Sequence, residues 1–155
     1  MKGIFVYQPP GKVPQVPEFI DGLEAHLREK IILRLYQMSL PQKPEMKEPH
    51  FKHFSLERYR ELCELRVKSK VLIRVIFHPC PNGEVLLLYA FVKHQKRDTM
   101  QALENSLRIL DALRKHPERT VEYKISDEQN SWKEQPANRQ MGIKRVQGIS
   151  RAQKP

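Results

Sequence analysis

Two arginines and a lysine lie in segments with the pattern of β-strands. Arg66 and Lys68 are two residues apart, so an extended backbone places both on one face. Arg74 lies inside the apolar segment 71–77, where an unpaired charge is very costly. It must therefore pair with a carboxylate, reach solvent at a sheet edge, or face an anion. The candidate carboxylates are Glu61, Glu64 and Glu84.

A second group of cations occupies 93–97, between an apolar segment and a helical pattern. It includes Lys93, His94 and Lys96. Such a run is either a solvated loop or part of an anion site, because helix N-termini attract anions. His94 adds an imidazole, the side chain that exchanges protons near neutral pH.

A third group interleaves Lys52 and His53 with Phe51 and Phe54. Bases of single-stranded RNA stack on exposed aromatic rings while cations hold the phosphates, and this composition fits that use. The alternative is that both rings cover the sheet.

The elements that position these groups predict an α+β fold. A short strand at 4–7 precedes apolar residues that recur every three or four positions from Pro17 to Met38. This pattern fits one long helix or a helical hairpin that breaks at Gly22 or at 28–30. Prolines 41, 44 and 49 exclude regular helix from the loop that follows, which runs to Phe54.

After this loop, apolar residues recur at every second position. Segments 62–68, 71–78 and 84–93 predict an antiparallel meander. A helix follows, with Asp98 as its expected N-cap and Pro117 at its end, and 120–125 is a candidate further strand. We expect an N-terminal strand and helical segment packed on a small antiparallel sheet, followed by a C-terminal helix.

Length and charge suggest one domain with a polyanionic partner. The 155 residues allow a domain over 1–125 and a basic polar tail over 126–155, disordered or ordered by a partner. Lys and Arg number 28 against 18 Asp and Glu, a formal charge of +10. So basic a chain is typical of nucleic-acid-binding proteins.

Several classes of protein are disfavoured. The longest apolar run, Val85–Val92, has eight residues, whereas a membrane helix needs about 20. No signal peptide is evident, so we expect a cytoplasmic protein. Cys63 and Cys80 lack C-x-x-C spacing, which predicts reduced thiols rather than a disulfide framework or zinc site. No metal or other cofactor is signalled.

Three segments, in this order, resemble the core of RelE/HigB-type toxins of the RelE/ParE superfamily, especially the phage-derived branch. That branch has an E-L-R strand, a strand with a central arginine, and a leucine-rich strand ending in F-x-K-K. The corresponding segments here are 62–66, 73–77 and 86–96, followed by an amphipathic helix. The similarity spans roughly Phe5 to Leu113.

The resemblance implies a RelE-like fold and a bacterial type II toxin that cleaves mRNA in the ribosomal A site. Such a toxin is a ribosome-dependent endoribonuclease: a ribose 2′-OH attacks the neighbouring phosphate while basic residues assist. Its partners are mRNA, the ribosome and a cognate antitoxin, usually a helix-turn-helix protein. No cofactor or metal is implied.

The resemblance also assigns roles to individual residues. Arg66 and Arg74 correspond to phosphate clamps, and Lys93 is the first basic residue of the closing motif. His94 stands where the second lysine usually does. RNA positioning is assigned to Lys52, Lys68 and Lys96.

The sequence departs from the best-known RelE toxins, which carry lysines just before the L-R pair, where this chain has Leu62 and Glu64. A catalytic scheme that uses those lysines therefore cannot be transferred to this chain, and the general base is not identified. Two other functions stay open: a ParE-like inhibitor of DNA gyrase on the same scaffold, and a non-enzymatic basic RNA-binding module.

Overall fold

The structure, a computed structural model, describes residues 3–40 and 50–125, together with Asn130 and Trp132. The chain divides into two units, Met1–Ile125 and Ser126–Pro155, and the architecture below is that of the first. Apart from Asn130 and Trp132, the expected tail lies outside the described residues. So does the proline-containing segment 41–49.

A six-stranded sheet forms the centre of the first unit. Its spatial order is β2-β3-β4-β5-β1-β6. Neighbouring strands are antiparallel except β1 and β5, which run parallel. The strands are β1 (Ile4–Tyr7), β2 (Phe51–His53), β3 (Cys63–Lys68), β4 (Leu72–Pro79), β5 (Val85–Lys93) and β6 (Thr120–Glu122).

Three α-helices pack on this sheet: α1 (Gln15–Asp21), α2 (Ala25–Ser39) and α3 (Lys96–Lys115). Short 3-10 helices span Glu57–Tyr59 and Pro117–Arg119. Helix α1 contacts β5, α2 contacts β3, and α3 contacts β4 and β5. The helical segment that the sequence left open is thus a hairpin, and it breaks over 22–24.

The sheet has buried side chains on both faces. Ile76 and Phe91 belong to a core cluster with Leu103 and Leu110 of α3. Ile73 and Val75, which alternate with the α3-facing positions of β4, are also fully buried. Each buried leucine or isoleucine contributes about 1.5–3 kcal/mol relative to exposure, so this double core accounts for much of the stability of the sheet.

The expected α+β architecture is confirmed, and the structure adds three details. The sheet is mixed, because β1 pairs in parallel with β5. A short strand, β2, occupies part of the expected loop. Helix α3 begins at Lys96 with Gln95 as its N-cap, which makes Asp98 the third helical residue instead of the cap.

Neither Cys63 nor Cys80 forms a disulfide among the described residues. Burial raises the pKa of Cys63 to about 11, which keeps it protonated at neutral pH. Among helices in the described ranges, none is both long and apolar enough to cross a membrane.

Candidate nucleic-acid interface

Arg66 and Arg74 are direct cross-strand partners on β3 and β4. Glu64 lies two residues before Arg66 on β3, so strand alternation places all three side chains on one face. Like charges at opposing positions repel, and the pair needs a compensating negative charge.

Glu64 supplies that charge. Its Oε1 accepts a hydrogen bond from Nε of Arg66 at 2.9 Å and lies 3.6 Å from Nε of Arg74. The exposed fractions of the side chains are 2% for Glu64, 10% for Arg74 and 21% for Arg66. Burial lowers the pKa of Arg74; attraction to Glu64 opposes this shift, and repulsion from Arg66 adds to it.

The structure also distinguishes among the three candidate carboxylates for Arg74. Glu61 pairs with Arg114 of α3 at 2.6 Å, and Glu84 accepts a hydrogen bond from Asn82. Glu64 is therefore the partner of Arg74.

Both arginines open into a shared groove of about 620 Å³. Among the described residues nine line the groove, of which six are Lys, Arg or His and none is acidic. The lining residues are Lys30, Leu33, Arg34, His50, Arg66, Val67, Lys68, Leu72 and Arg74. Such a groove favours an anion, because five permanently charged cations surround it and Glu64 lies behind two of them.

Two polar atoms of this cluster are buried without a hydrogen-bond partner in the described part of the chain. They are Oε2 of Glu64 and Nε of Arg74. Nη1 of Arg74 donates a weak hydrogen bond to the carbonyl of Ile73 at 3.4 Å. Arg66 is oriented by its hydrogen bond to Glu64, and Arg74 by its ion pair with Glu64 and by its burial.

Lys93 and His94 lie beside the groove and not in its lining. Lys93 pairs in register with Leu72, so it shares the face of Arg74, and it is half-buried. His94 is exposed, and its backbone N–H donates to Oδ2 of Asp98 at 2.8 Å. This bond and the N–H of Gln95 lower the pKa of Asp98. Lys96 is exposed in the first turn of α3.

The aromatic group divides into two environments. Phe51 is buried and packs edge-on against Phe77, so it covers the sheet and cannot stack on a base. Phe54 is half-buried beside the α3 core, and Nζ of Lys52 lies 5.6 Å from the centroid of its ring. Lys52 faces Glu64 across β2 and β3 and flanks the groove.

Of the seven predicted site residues, the structure brings Arg66, Lys68 and Arg74 into one groove. Sequence reasoning missed the opposite wall, which comes from α2 and from His50. The available signal was Leu33, an apolar residue that interrupts the polar face of α2 between Lys30 and Arg34.

Within 3–40 and 50–125 no cluster of three or more His, Cys, Asp or Glu side chains has the geometry of a metal site.

Comparison with known proteins places this scaffold in the RelE/ParE-like toxin superfamily. The family described as phage derived protein Gp49-like (DUF891) matches residues 18–120, more than half of the chain. The chain belongs to the Gp49-like family, whose members are commonly toxins of toxin-antitoxin systems with a cognate antitoxin. A comparison with curated proteins finds no match.

Proposed function

We propose that this protein is the toxin of a type II toxin-antitoxin system and that it cleaves mRNA in the ribosomal A site. The observation that carries this proposal is the pair Arg66 and Arg74, fixed by one buried carboxylate and opening into one basic groove. Two guanidinium groups in this arrangement match the geometry and charge of a phosphate.

The proposed reaction uses the RNA as its own nucleophile. The 2′-oxygen of a ribose forms a bond to the adjacent phosphorus, and the bond from phosphorus to the 5′-oxygen of the next nucleotide breaks. The 2′-OH loses a proton, and the leaving 5′-oxygen gains one. The products are a 2′,3′-cyclic phosphate and a free 5′-hydroxyl.

Each proposed catalytic residue acts on one part of this change. Arg66 and Arg74 stabilise the extra negative charge on the pentavalent phosphate, and such a preorganised donor contributes about 2.7–4 kcal/mol. Lys93 adds positive charge on the same face, and His94 exchanges a proton with the reacting oxygens. Glu64 is unsuited as the general base, because its carboxylate is 2% exposed and faces the arginines.

Three lysines position the strand in this proposal. Lys68 lines the groove, Lys52 lies on β2 opposite Glu64, and Lys96 is exposed at the start of α3. We assign the activity to residues 1–125. The partners are ribosome-bound mRNA, which places the protein in the cytoplasm, and a cognate antitoxin of the helix-turn-helix type.

Induced expression tests this function directly. We expect growth to stop and new mRNA 5′ ends to map to codons in the A site. Arg66→Ala/Arg74→Ala, combined with Glu64→Gln so that no buried carboxylate loses its partners, should abolish both effects while its circular dichroism spectrum stays that of the wild type. The matched control, Lys12→Ala/Lys115→Ala, removes two exposed charges outside the groove and should remain toxic.

Two outcomes would overturn the proposal. DNA damage signalling without mRNA cleavage would indicate a gyrase inhibitor. Salt-sensitive RNA binding with unaffected growth would indicate a non-enzymatic RNA-binding module.

A further inference from the structure

One wall of the basic groove is formed by α2, and the proposed cleavage chemistry does not use it. Lys30, Leu33 and Arg34 line this wall, and His50 continues it just before β2. The opposite wall carries Arg66 and Arg74.

The helical period explains why these α2 side chains act together. Positions 30, 33 and 34 are related by i, i+3 and i+4, which places them on one side of the helix. Ile31 and Leu35, on the other side, are fully buried in the core. Leu33 is 55% exposed, a large apolar surface between two cations.

Arg34 differs from the two arginines of the sheet in its partners. Its Nη2 lies 3.2 Å from the ring nitrogens of His50, and its Nη1 donates to Oε1 of Gln37 at 3.4 Å. Its hydrogen-bond partners are thus the amide of Gln37 and the imidazole of His50, whereas Arg66 and Arg74 both contact Glu64. In the described part of the chain, Arg34 has no carboxylate partner.

The groove is also larger than one phosphate requires. Its volume of about 620 Å³ lies within the range of pockets that hold whole small-molecule ligands. Its lining combines cations with the apolar side chains of Leu33, Val67 and Leu72. An RNA strand has a matching composition, since its anionic phosphates are joined by sugars and bases with apolar faces.

We infer that the α2 wall is a second RNA subsite, in which Lys30 and Arg34 bind the phosphate next to the cleaved one and Leu33 contacts the intervening nucleoside. This inference rests on the proposed function, because it assumes that the groove holds RNA. A strand that passes through Arg66 and Arg74 must leave the cleavage site, and the α2 wall lies on a path inside the same groove.

An acidic segment of the antitoxin has complementary charge too, but it does not require apolar contact between regularly spaced anions. RNA therefore accounts for both the cations and Leu33. Antitoxin binding at this wall is one of the outcomes that the experiment distinguishes.

The test measures binding of the full chain to a single-stranded RNA oligonucleotide with 2′-O-methyl sugars, which cannot be cleaved. Fluorescence anisotropy is recorded between 50 and 200 mM salt. Lys30→Ala/Arg34→Ala should weaken binding about tenfold or more and reduce the salt slope by roughly 0.7, the value for one lost phosphate contact on a single strand. Leu33→Ala should weaken binding and leave the slope unchanged.

The control variant Lys12→Ala/Lys115→Ala should leave both affinity and slope at wild-type values. If the α2 variant also matches wild type, the subsite does not exist. The inference is equally overturned if the α2 variant binds RNA normally but loses affinity for the antitoxin.

Cleavage kinetics separate this subsite from the proposed active site. A contact made equally in the bound state and the transition state raises KM and leaves kcat unchanged, and we expect this result for Lys30→Ala/Arg34→Ala. A wild-type protein that binds RNA without cleaving it on the ribosome would refute the proposed function alone, because the salt slope would still decide whether α2 binds a phosphate.

Discussion

Arg66 and Arg74 lie directly opposite each other across β3 and β4, and both form ion pairs with the carboxylate of Glu64. The side chain of Arg74 is only 10% exposed. Burial makes a positive charge costly, and an anion in the groove would reduce that cost. The same three side chains therefore link the stability of the sheet to the phosphate binding that we propose.

Replacing Glu64 with Gln tests the contribution of this cluster to stability. The variant keeps the shape of the side chain but leaves the buried guanidinium of Arg74 without a compensating charge. We expect a loss of about 3–5 kcal/mol in the free energy of unfolding, the cost typical of removing one partner of a buried ion pair. Denaturant unfolding monitored by circular dichroism measures it.

Glu61→Gln is the matched control for that experiment. Glu61 pairs with Arg114, and both side chains are exposed, so the expected loss is only about 0–1 kcal/mol. Equal losses in the two variants would show that burial does not increase the contribution of Glu64 to the free energy of unfolding.

Single substitutions of the two arginines test their proposed interaction with phosphate. Arg66→Ala and Arg74→Ala should each lower the cleavage rate of ribosome-bound mRNA by roughly 10²–10³, the effect of losing one preorganised donor. Arg74→Lys should recover only part of this loss, because an ammonium keeps the charge without the planar donor pair. Single-turnover cleavage measures the chemical step separately from binding.

Lys70→Ala provides the control for the arginine series. Lys70 is exposed in the turn between β3 and β4, close in sequence to both arginines but outside the groove lining. A loss of rate as large as that of Arg66→Ala would mean that general positive charge, and not the fixed pair, determines activity.

The fold followed from the sequence wherever hydrophobic periodicity was long enough. Strands β3, β4 and β5 and helix α3 have regular apolar patterns and lie close to their predicted positions. Strand β2 did not follow, because its three residues are too few to establish a period. The hairpin of α1 and α2 was one of two predicted arrangements, since periodicity cannot show whether a helix turns back on itself.

The sequence predicted only those features of the candidate site that follow from alternation within one strand. Arg66, Lys68 and Arg74 share a face because of strand alternation, which a sequence shows. The choice of Glu64 as the partner of Arg74 depends on the register between β3 and β4. The wall formed by α2 depends on how this helix packs against β3, and no local pattern gives that tertiary relationship.

Acid stability offers a prediction away from the groove. Hydrogen bonds from Arg58, and then from Tyr59, lower the pKa of Glu104 from 4.5 to about 2. Because the folded-state pKa is below the unfolded one, this carboxylate stabilises the fold fully above about pH 4.5, and that stabilisation is lost as pH falls towards 2. Glu104→Gln should therefore be less stable than wild type at neutral pH and lose less stability between pH 4.5 and 2.

Urea unfolding midpoints measured across this pH range test the acid prediction. Glu29→Gln, which removes an exposed carboxylate on α2, serves as the control. If Glu104→Gln and wild type lose stability in parallel, the hydrogen bonds from Arg58 and Tyr59 contribute nothing to acid sensitivity.

His94 gives the clearest test of the proposed proton transfer. Its backbone N–H donates to Asp98 at the start of α3, and the residue is exposed directly after Lys93, which shares the face of Arg74. A general acid or base contributes roughly 10²–10⁴ to a rate, so His94→Ala should lose cleavage activity by that factor without a comparable loss of RNA binding. His26→Ala, an exposed histidine outside the groove lining, should be unaffected.

The pH dependence of single-turnover cleavage identifies the direction of transfer by His94. A ring that protonates the leaving 5′-oxygen acts in its charged form, so the wild-type rate should fall as pH rises through the imidazole titration. A ring that removes the 2′-OH proton acts in its neutral form, and the rate should fall as pH decreases. In either case this fall in rate with pH must be absent from His94→Ala. If His94→Ala keeps the wild-type pH dependence and is slower by the same factor at every pH, then His94 only positions the RNA, because the titrating group is another residue.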